Sequence, residues 1–296
     1  MNTTATRSFV RAGTYRMLSE CYKEPCLEFA QDVAGGYLYK ELAGNLNLLG
    51  ITISLEGLKI LASKQGRGDA SPVQRREGEV LTGIRGGGGW SIPSDSDRAT
   101  DILLSLKEVY YPLFVGPSPS LALPVESVYK EWAQNKTSVI STDVRGMLMG
   151  DPAVDMITRY KEAGIEIPRE YKDVPDHLAL LLEYMALLCE AAEGDQRAES
   201  ADGLCQRPPE EHRGSVGRGL HSPLPMEGDG HSPITEAQGK FLQDHLDWLD
   251  EMYKLIYVYT EDQSDLIASQ FYRTVADATT AYIDYERGIC LKREKI

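Results

Sequence analysis

The stretch Leu178 to Ala192, LALLLEYMALLCEAA, constrains the fold more than any other part of the chain. Apolar residues fall on nearly every face of the helix it would form, so no single face can be turned to water. It is too short to span a bilayer, which takes roughly 20 apolar residues, and Glu183 and Glu190 interrupt it. What remains is a helix at the centre of a bundle, with other helices packed around it.

The rest of the chain supplies candidates for those neighbours. Phe9 to Tyr22 brings Val10, Tyr15, Leu18 and Tyr22 near one face and stops before Pro25. Cys26 to Leu49 reads as further helix, weakened by Gly35, Gly36 and Gly44, and Ser54 to Ser63 as a short helix. Helical spacing recurs over Asp101 to Leu113, over Ser141 to Ala163 with a break at Gly150-Asp151-Pro152, over Phe241 to Tyr259, and over Ser264 to Tyr285. No strand pattern and no repeat of 20–50 residues stands out. The expectation is an all-α fold, a single bundle of about ten helices with two irregular insertions. Residues 1–193 hold its N-terminal and central helices, including a glycine-rich insertion at 64–98. Residues 194–238 are a flexible linker, and 239–296 complete the same bundle.

Charge narrows the partners. A formal net charge of −14 repels nucleic acid phosphates and anionic lipid and attracts basic polypeptides. The five cysteines, Cys21, Cys26, Cys189, Cys205 and Cys290, are odd in number and form no CxxC pair. That pattern speaks for reduced thiols, not a disulfide frame or a metal centre. His212, His221 and His231 lack the compact spacing of a metal site. The N-terminus carries no apolar run of secretory type and no segment is long enough to cross a membrane. A cytoplasmic protein without stable membrane insertion is expected. Gly86 to Gly89 lack the GxxxxGK[ST] arrangement of a phosphate loop, and Arg75-Arg76 is neither N-terminal nor followed by an apolar run. No catalytic motif, metal site or cofactor motif emerges.

Two segments could carry binding. Tyr110 to Pro117, YYPLFVGP, with Pro124 to Tyr129, PVESVY, reads either as a helix end and a proline-stiffened loop or as a rigid aromatic groove. Prolines preset the backbone and tyrosine offers contact area at low entropic cost. Asp173-Val174-Pro175-Asp176-His177 reads as a helix start, with Asp173 or Asp176 capping and Pro175 in the first turn. An Asp-His pair at an exposed helix start offers both an acceptor and a titratable donor.

In order, these segments resemble the TorD/DmsD/NarJ family, the maturation chaperones of molybdenum-containing redox enzymes. The resemblance runs through LSECYKEP, YYPLFVGP, PVESVY, VDMITRYKEAGIEIP, PDHLALLLEYMALL and FLQDHLDWLDEMY. It implies an all-helical chaperone, not an enzyme. Such a chaperone binds the twin-arginine signal peptide, or the body, of a molybdoenzyme catalytic subunit, and delays export until the cofactor is inserted. It also implies that Pro175, Asp176 and His177 match the peptide-binding and hinge element. Tyr111, Phe114, Gly116, Pro117, Pro124, Glu126, Ser127 and Tyr129 match the segment lining the adjacent groove. Asp176 and Glu126 would receive guanidinium groups. The insertion at Lys64 to Arg98 and the linker at Gly194 to Gln238 depart from compact relatives. Two other readings stand beside this one: a GTP-binding assembly factor using the glycine-rich segment, and a structural subunit that binds only the folded enzyme. A linker of this length also permits exchange of C-terminal helices between two copies, giving a homodimer.

Overall fold

The computed structural model describes residues 3–63, 95–116, 121–130, 148–201 and 233–293. They form helices α1 Thr3–Tyr22, α2 Leu27–Ala34, α3 Tyr37–Leu49, α4 Glu56–Ala62, α5 Asp95–Tyr110 and α6 Glu126–Tyr129. These are followed by α7 Asp151–Glu162, α8 Leu178–Ala201, α9 Pro233–His245, α10 Leu249–Asp262 and α11 Ile267–Arg293. A π-helical turn, Tyr111–Val115, continues α5, and a 3-10 turn, Arg169–Tyr171, precedes α8. Val125 and His177 make an isolated antiparallel bridge, and there is no sheet among the described residues. The all-α expectation is borne out.

Helix α8 fills the centre. Leu178, Ala179, Leu181, Leu182, Met185, Ala186 and Cys189 are all fully buried. Each buried leucine contributes about 1.5–3 kcal/mol, so this helix alone commits the chain to enclosing it. Helix α1 lies along it, tied by Ser19 Oγ donating to the Ala179 carbonyl at 2.8 Å and by an Arg16–Glu190 ion pair. Helix α11 packs against α1, α4, α5, α9 and α10. One buried polar tie crosses this core. Arg11 on α1 donates to Glu286 Oε1 at 2.7 Å on α11, and to Gln238 Oε1 at 3.0 Å on α9. Burial works against the Arg11 charge, but the Glu286 carboxylate outweighs it and keeps the guanidinium ionised.

Several boundaries differ from the periodic pattern for local reasons. The stretch Cys26 to Leu49 is two helices because Gly36 takes φ 72° between them. Helix α5 ends at Tyr110 because Pro112 has no N–H to continue the ladder, and the register widens until Gly116 N donates to the Tyr111 carbonyl at 2.6 Å. The stretch Phe241 to Tyr259 breaks at 246–248. There the last two carbonyls of α9 and the one just past it are taken by side chains: Asp244 by Lys130, His245 by Trp248 Nε1 at 2.8 Å, and Leu246 by Arg287 at 2.8 Å. Helix α8 continues through Gly194–Ala201 and α9 begins at Pro233, so both ends of the stretch read as linker are helical. Residues 202–232, and residues 64–94 of the glycine-rich insertion, lie outside the described residues.

Helix α4 meets α11 at Gly57. A Cβ there would stand 2.2 Å from the Gln270 carbonyl oxygen and 2.4 Å from Thr274 Oγ1. Gly57→Ala is therefore expected to lower stability by about 1–3 kcal/mol or more, as overpacking against backbone does. A urea melt with an unchanged midpoint would contradict this packing.

Candidate functional site

The buried N-terminus of α8 sets the geometry of the site. A helix start leaves four N–H groups without intrahelical partners, and here solvent cannot serve them. Leu178 N donates to the Pro124 carbonyl at 2.8 Å. Ala179 N donates to His177 Nδ1 at 3.2 Å. Leu180 N and Leu181 N donate to the His177 carbonyl at 2.8 and 3.1 Å. His177, not Asp173 or Asp176, is the cap.

This capping role fixes the His177 ring. Its Nδ1 must be an acceptor, so the imidazole is neutral with its proton on Nε2. Burial, and then the Lys23 ammonium, push its pKa down to about 3. Tyr171 packs beside the ring with centroids 5.0 Å apart.

Asp176 holds the neighbouring segment. Its Oδ2 accepts from Ser127 N at 2.7 Å and from Ser127 Oγ at 2.5 Å, while its carbonyl accepts from Glu126 N at 3.2 Å. Ser127 Oγ accepts in turn from Gly150 N at 3.0 Å, at the start of α7. Tyr160 of α7 donates its hydroxyl to the Pro175 carbonyl at 3.1 Å. A four-residue helix such as α6 has no stability of its own; Asp176 caps it from 49 residues away. The second oxygen, Asp176 Oδ1, is buried without a hydrogen-bond partner.

On its other side α6 is fastened to the corner between α9 and α10. His245 stands between two carboxylates, with Nδ1 2.9 Å from Glu126 Oε2 and Nε2 2.9 Å from Asp155 Oδ2. Burial pushes the Glu126 carboxyl above its usual range, against the pull of His245 and Lys130. For Asp155, burial is outweighed by Arg159, at 2.6 Å, and its carboxyl is held low. Tyr129 stacks on Trp248 with centroids 4.9 Å apart. Lys130 reaches Asp247 at 2.8 Å.

The sequence-based site thus divides into parts. Pro124, Glu126, Ser127, Pro175, Asp176 and His177 meet in one junction, with Tyr129 beside it. All seven are buried. The exposed helix start expected for Asp176 and His177 is corrected: they are 0% and 8% exposed, because they satisfy backbone groups internally. Glu126, expected to face a guanidinium, is 0% exposed and already paired. Phe114 is core, packed on Tyr22, Tyr110 and Tyr272. Gly116 closes the π-helical turn, and Ala122 N donating to the Leu113 carbonyl at 2.7 Å joins that turn to the junction. Tyr111 is 41% exposed, hydrogen-bonded to Glu24 at 2.5 Å with Lys107 over its ring. Pro117 and Gly86 to Gly89 lie outside the described residues.

Lys130, Asp155, Arg159, His245 and Trp248 were not singled out in the sequence. The one available signal was the spacing of His245 and Trp248, one helical turn apart in FLQDHLDWLDEMY. Among the described residues no group of His, Cys, Asp and Glu is placed to hold a metal, and no helix is long and apolar enough to cross a membrane.

Residues 91–212 match the nitrate reductase delta subunit family. It is a family of molybdoenzyme maturation chaperones, and the resemblance is borne out over the segments from YYPLFVGP to PDHLALLLEYMALL, which lie inside the match. The matched region holds α5 through α8, and so both halves of the junction, Pro124 to Ser127 and Pro175 to His177. The α9–α10 corner lies beyond it. No curated protein and no solved structure gives a significant match.

The His177 cap carries a pH signature. A folded pKa of about 3, against about 6.5 in an unfolded chain, means that the neutral cap stabilises the fold fully above pH 6.5. That stability is lost as pH falls from 6.5 toward 3. His177→Asn keeps a neutral cap and is expected to flatten the fall in Tm between pH 7 and pH 4. Parallel Tm profiles for the two proteins would contradict the assignment.

Proposed function

We propose that this protein is a maturation chaperone for the catalytic subunit of a molybdopterin-containing oxidoreductase. In this reading it acts in the cytoplasm, binds the subunit's twin-arginine signal peptide, and holds the subunit back from export until its cofactor is in place. The observation that carries the reading is the Asp176–Ser127 junction, which falls wholly inside the region matching the family of maturation chaperones. Its residues are held in a defined geometry by buried hydrogen bonds, as a recognition element for a polypeptide requires. Tyr111, at the exposed end of the connected π-helical turn, offers aromatic contact area. The net charge of −14 favours a partner bearing arginines.

Calorimetry with a synthetic peptide carrying two adjacent arginines and an apolar stretch tests this. Asp176→Asn keeps shape but weakens the hold on Ser127, and Tyr111→Ala removes an exposed contact. Each is expected to weaken binding by about 1–3 kcal/mol. Unchanged affinity in both folded variants would remove the junction and the turn from the binding site. Capture of the enzyme with its signal peptide deleted, at undiminished affinity, would move recognition to the enzyme body.

A further inference from the structure

His245 closes α9 with both of its ring nitrogens on carboxylates. Nδ1 is 2.9 Å from Glu126 Oε2 on α6, and Nε2 is 2.9 Å from Asp155 Oδ2 on α7. Ionised carboxylates only accept hydrogen bonds, and a neutral imidazole has one N–H to give. The two contacts therefore need a second proton within the three groups, and its place is a property of the coupled set. The ring has little room to turn and shed one contact. Its side chain is 4% exposed and stacks on Phe241 with centroids 4.7 Å apart.

Other charged groups face this set. Lys130 on α6 lies 2.8 Å from Glu126 Oε1, and Asp247 at the α9–α10 corner pairs with Lys130. Arg159 on α7 lies 2.6 Å from Asp155 Oδ2 and over the Phe241 ring, with Asp244 of α9 and Tyr184 of α8 acting on it. Arg287 of α11 donates to the adjacent Leu246 carbonyl. The two carboxylates differ in the respect that decides which contact yields. Glu126 is fully buried, whereas 48% of the Asp155 side chain is exposed. Burial pushes the Glu126 carboxyl above its usual range, which favours keeping a proton in the set. Once that proton leaves, the one remaining N–H goes to the buried Glu126, where an unpaired charge costs most. Asp155 then faces a bare nitrogen and turns to water.

We propose that the His245–Asp155 contact is a proton-operated clasp between α9 and α7, closed while the set holds its second proton and released as pH rises. α7 bears on both halves of the junction. Gly150 N at its start donates to Ser127 Oγ, and Tyr160 donates to the Pro175 carbonyl. The clasp thus ties the rigidity of the junction to pH, whatever the chain binds. Because the closed state holds the extra proton, its stability is present on the acid side and lost toward alkaline pH. His177 acts in the opposite sense, and its contribution is complete above pH 6.5.

Amide hydrogen exchange on the full chain at pH 6.5 and pH 9, corrected for intrinsic rates, tests the clasp. Wild-type protection over residues 151–162 and 241–249 is expected to fall about tenfold at the higher pH, the scale of one charge-assisted hydrogen bond. In Asp155→Asn the new amide donates to Nε2 while Nδ1–H donates to Glu126. No second proton is then needed, and protection over both stretches is expected to stay level. A wild type whose protection does not fall, or an equal fall in folded Asp155→Asn, overturns the proposal. Where thermal melts show Asp155→Asn unfolded, Asp155→Ala takes its place. Lacking the contact, it is expected to show low protection over both stretches at both pH values, and a fall matching that of the wild type overturns the clasp.

Discussion

A helix that is apolar on nearly every face must be largely surrounded, leaving α8 a strip at Glu183, Leu187 and Glu190 toward solvent, and burying its N-terminal end as well as its sides. Helix α8 meets that requirement with layers from α1, α9 and the segments near α6 and α7. Its N-terminal N–H groups then have to find partners inside the protein, where an unpaired donor costs about 1–3 kcal/mol. Pro124 and His177 provide them. The junction is therefore a consequence of placing α8 at the centre. Once the Pro124 carbonyl is drawn to Leu178, the next residues of that segment stand against Asp176, and Asp176 can cap α6.

The same logic connects the junction to the C-terminal helices. α6 is too short to persist alone, so its two faces are held by different parts of the chain. Asp176 holds Ser127 on one side, while His245, Trp248 and Asp247 hold Glu126, Tyr129 and Lys130 on the other. A partner that disturbs α6 acts on both. Buried polar groups of this kind are satisfied by few alternative arrangements, so α6 holds one position between the two.

Much of this was legible in the sequence, and the limits have physical causes. The central place of α8 followed from Leu178 to Ala192 alone, since a helix of that length with apolar residues on nearly every face must bury most of its surface. The helix start near Asp176 was equally legible. What periodicity cannot show is which distant group a buried polar side chain meets. Asp176 looked like an exposed cap because local sequence carries no trace of Ser127, 49 residues earlier. His245 gave no sign of lying between Glu126 and Asp155. The break at 246–248 was hidden because the side chains that cap α9, from Lys130, Trp248 and Arg287, come mostly from elsewhere in the chain. Ser54 to Ser63 read as a short helix, and the need for a bare backbone at Gly57 within it appears only where α11 crosses.

The most direct test of the account is amide hydrogen exchange with and without a peptide bearing two adjacent arginines and an apolar stretch. Binding at the junction predicts altered protection at residues 122–130 and 175–181, with a matching change at 244–249 because α6 couples the two. Changes confined to α2, α3 and α4, with those three segments unaffected, would contradict it.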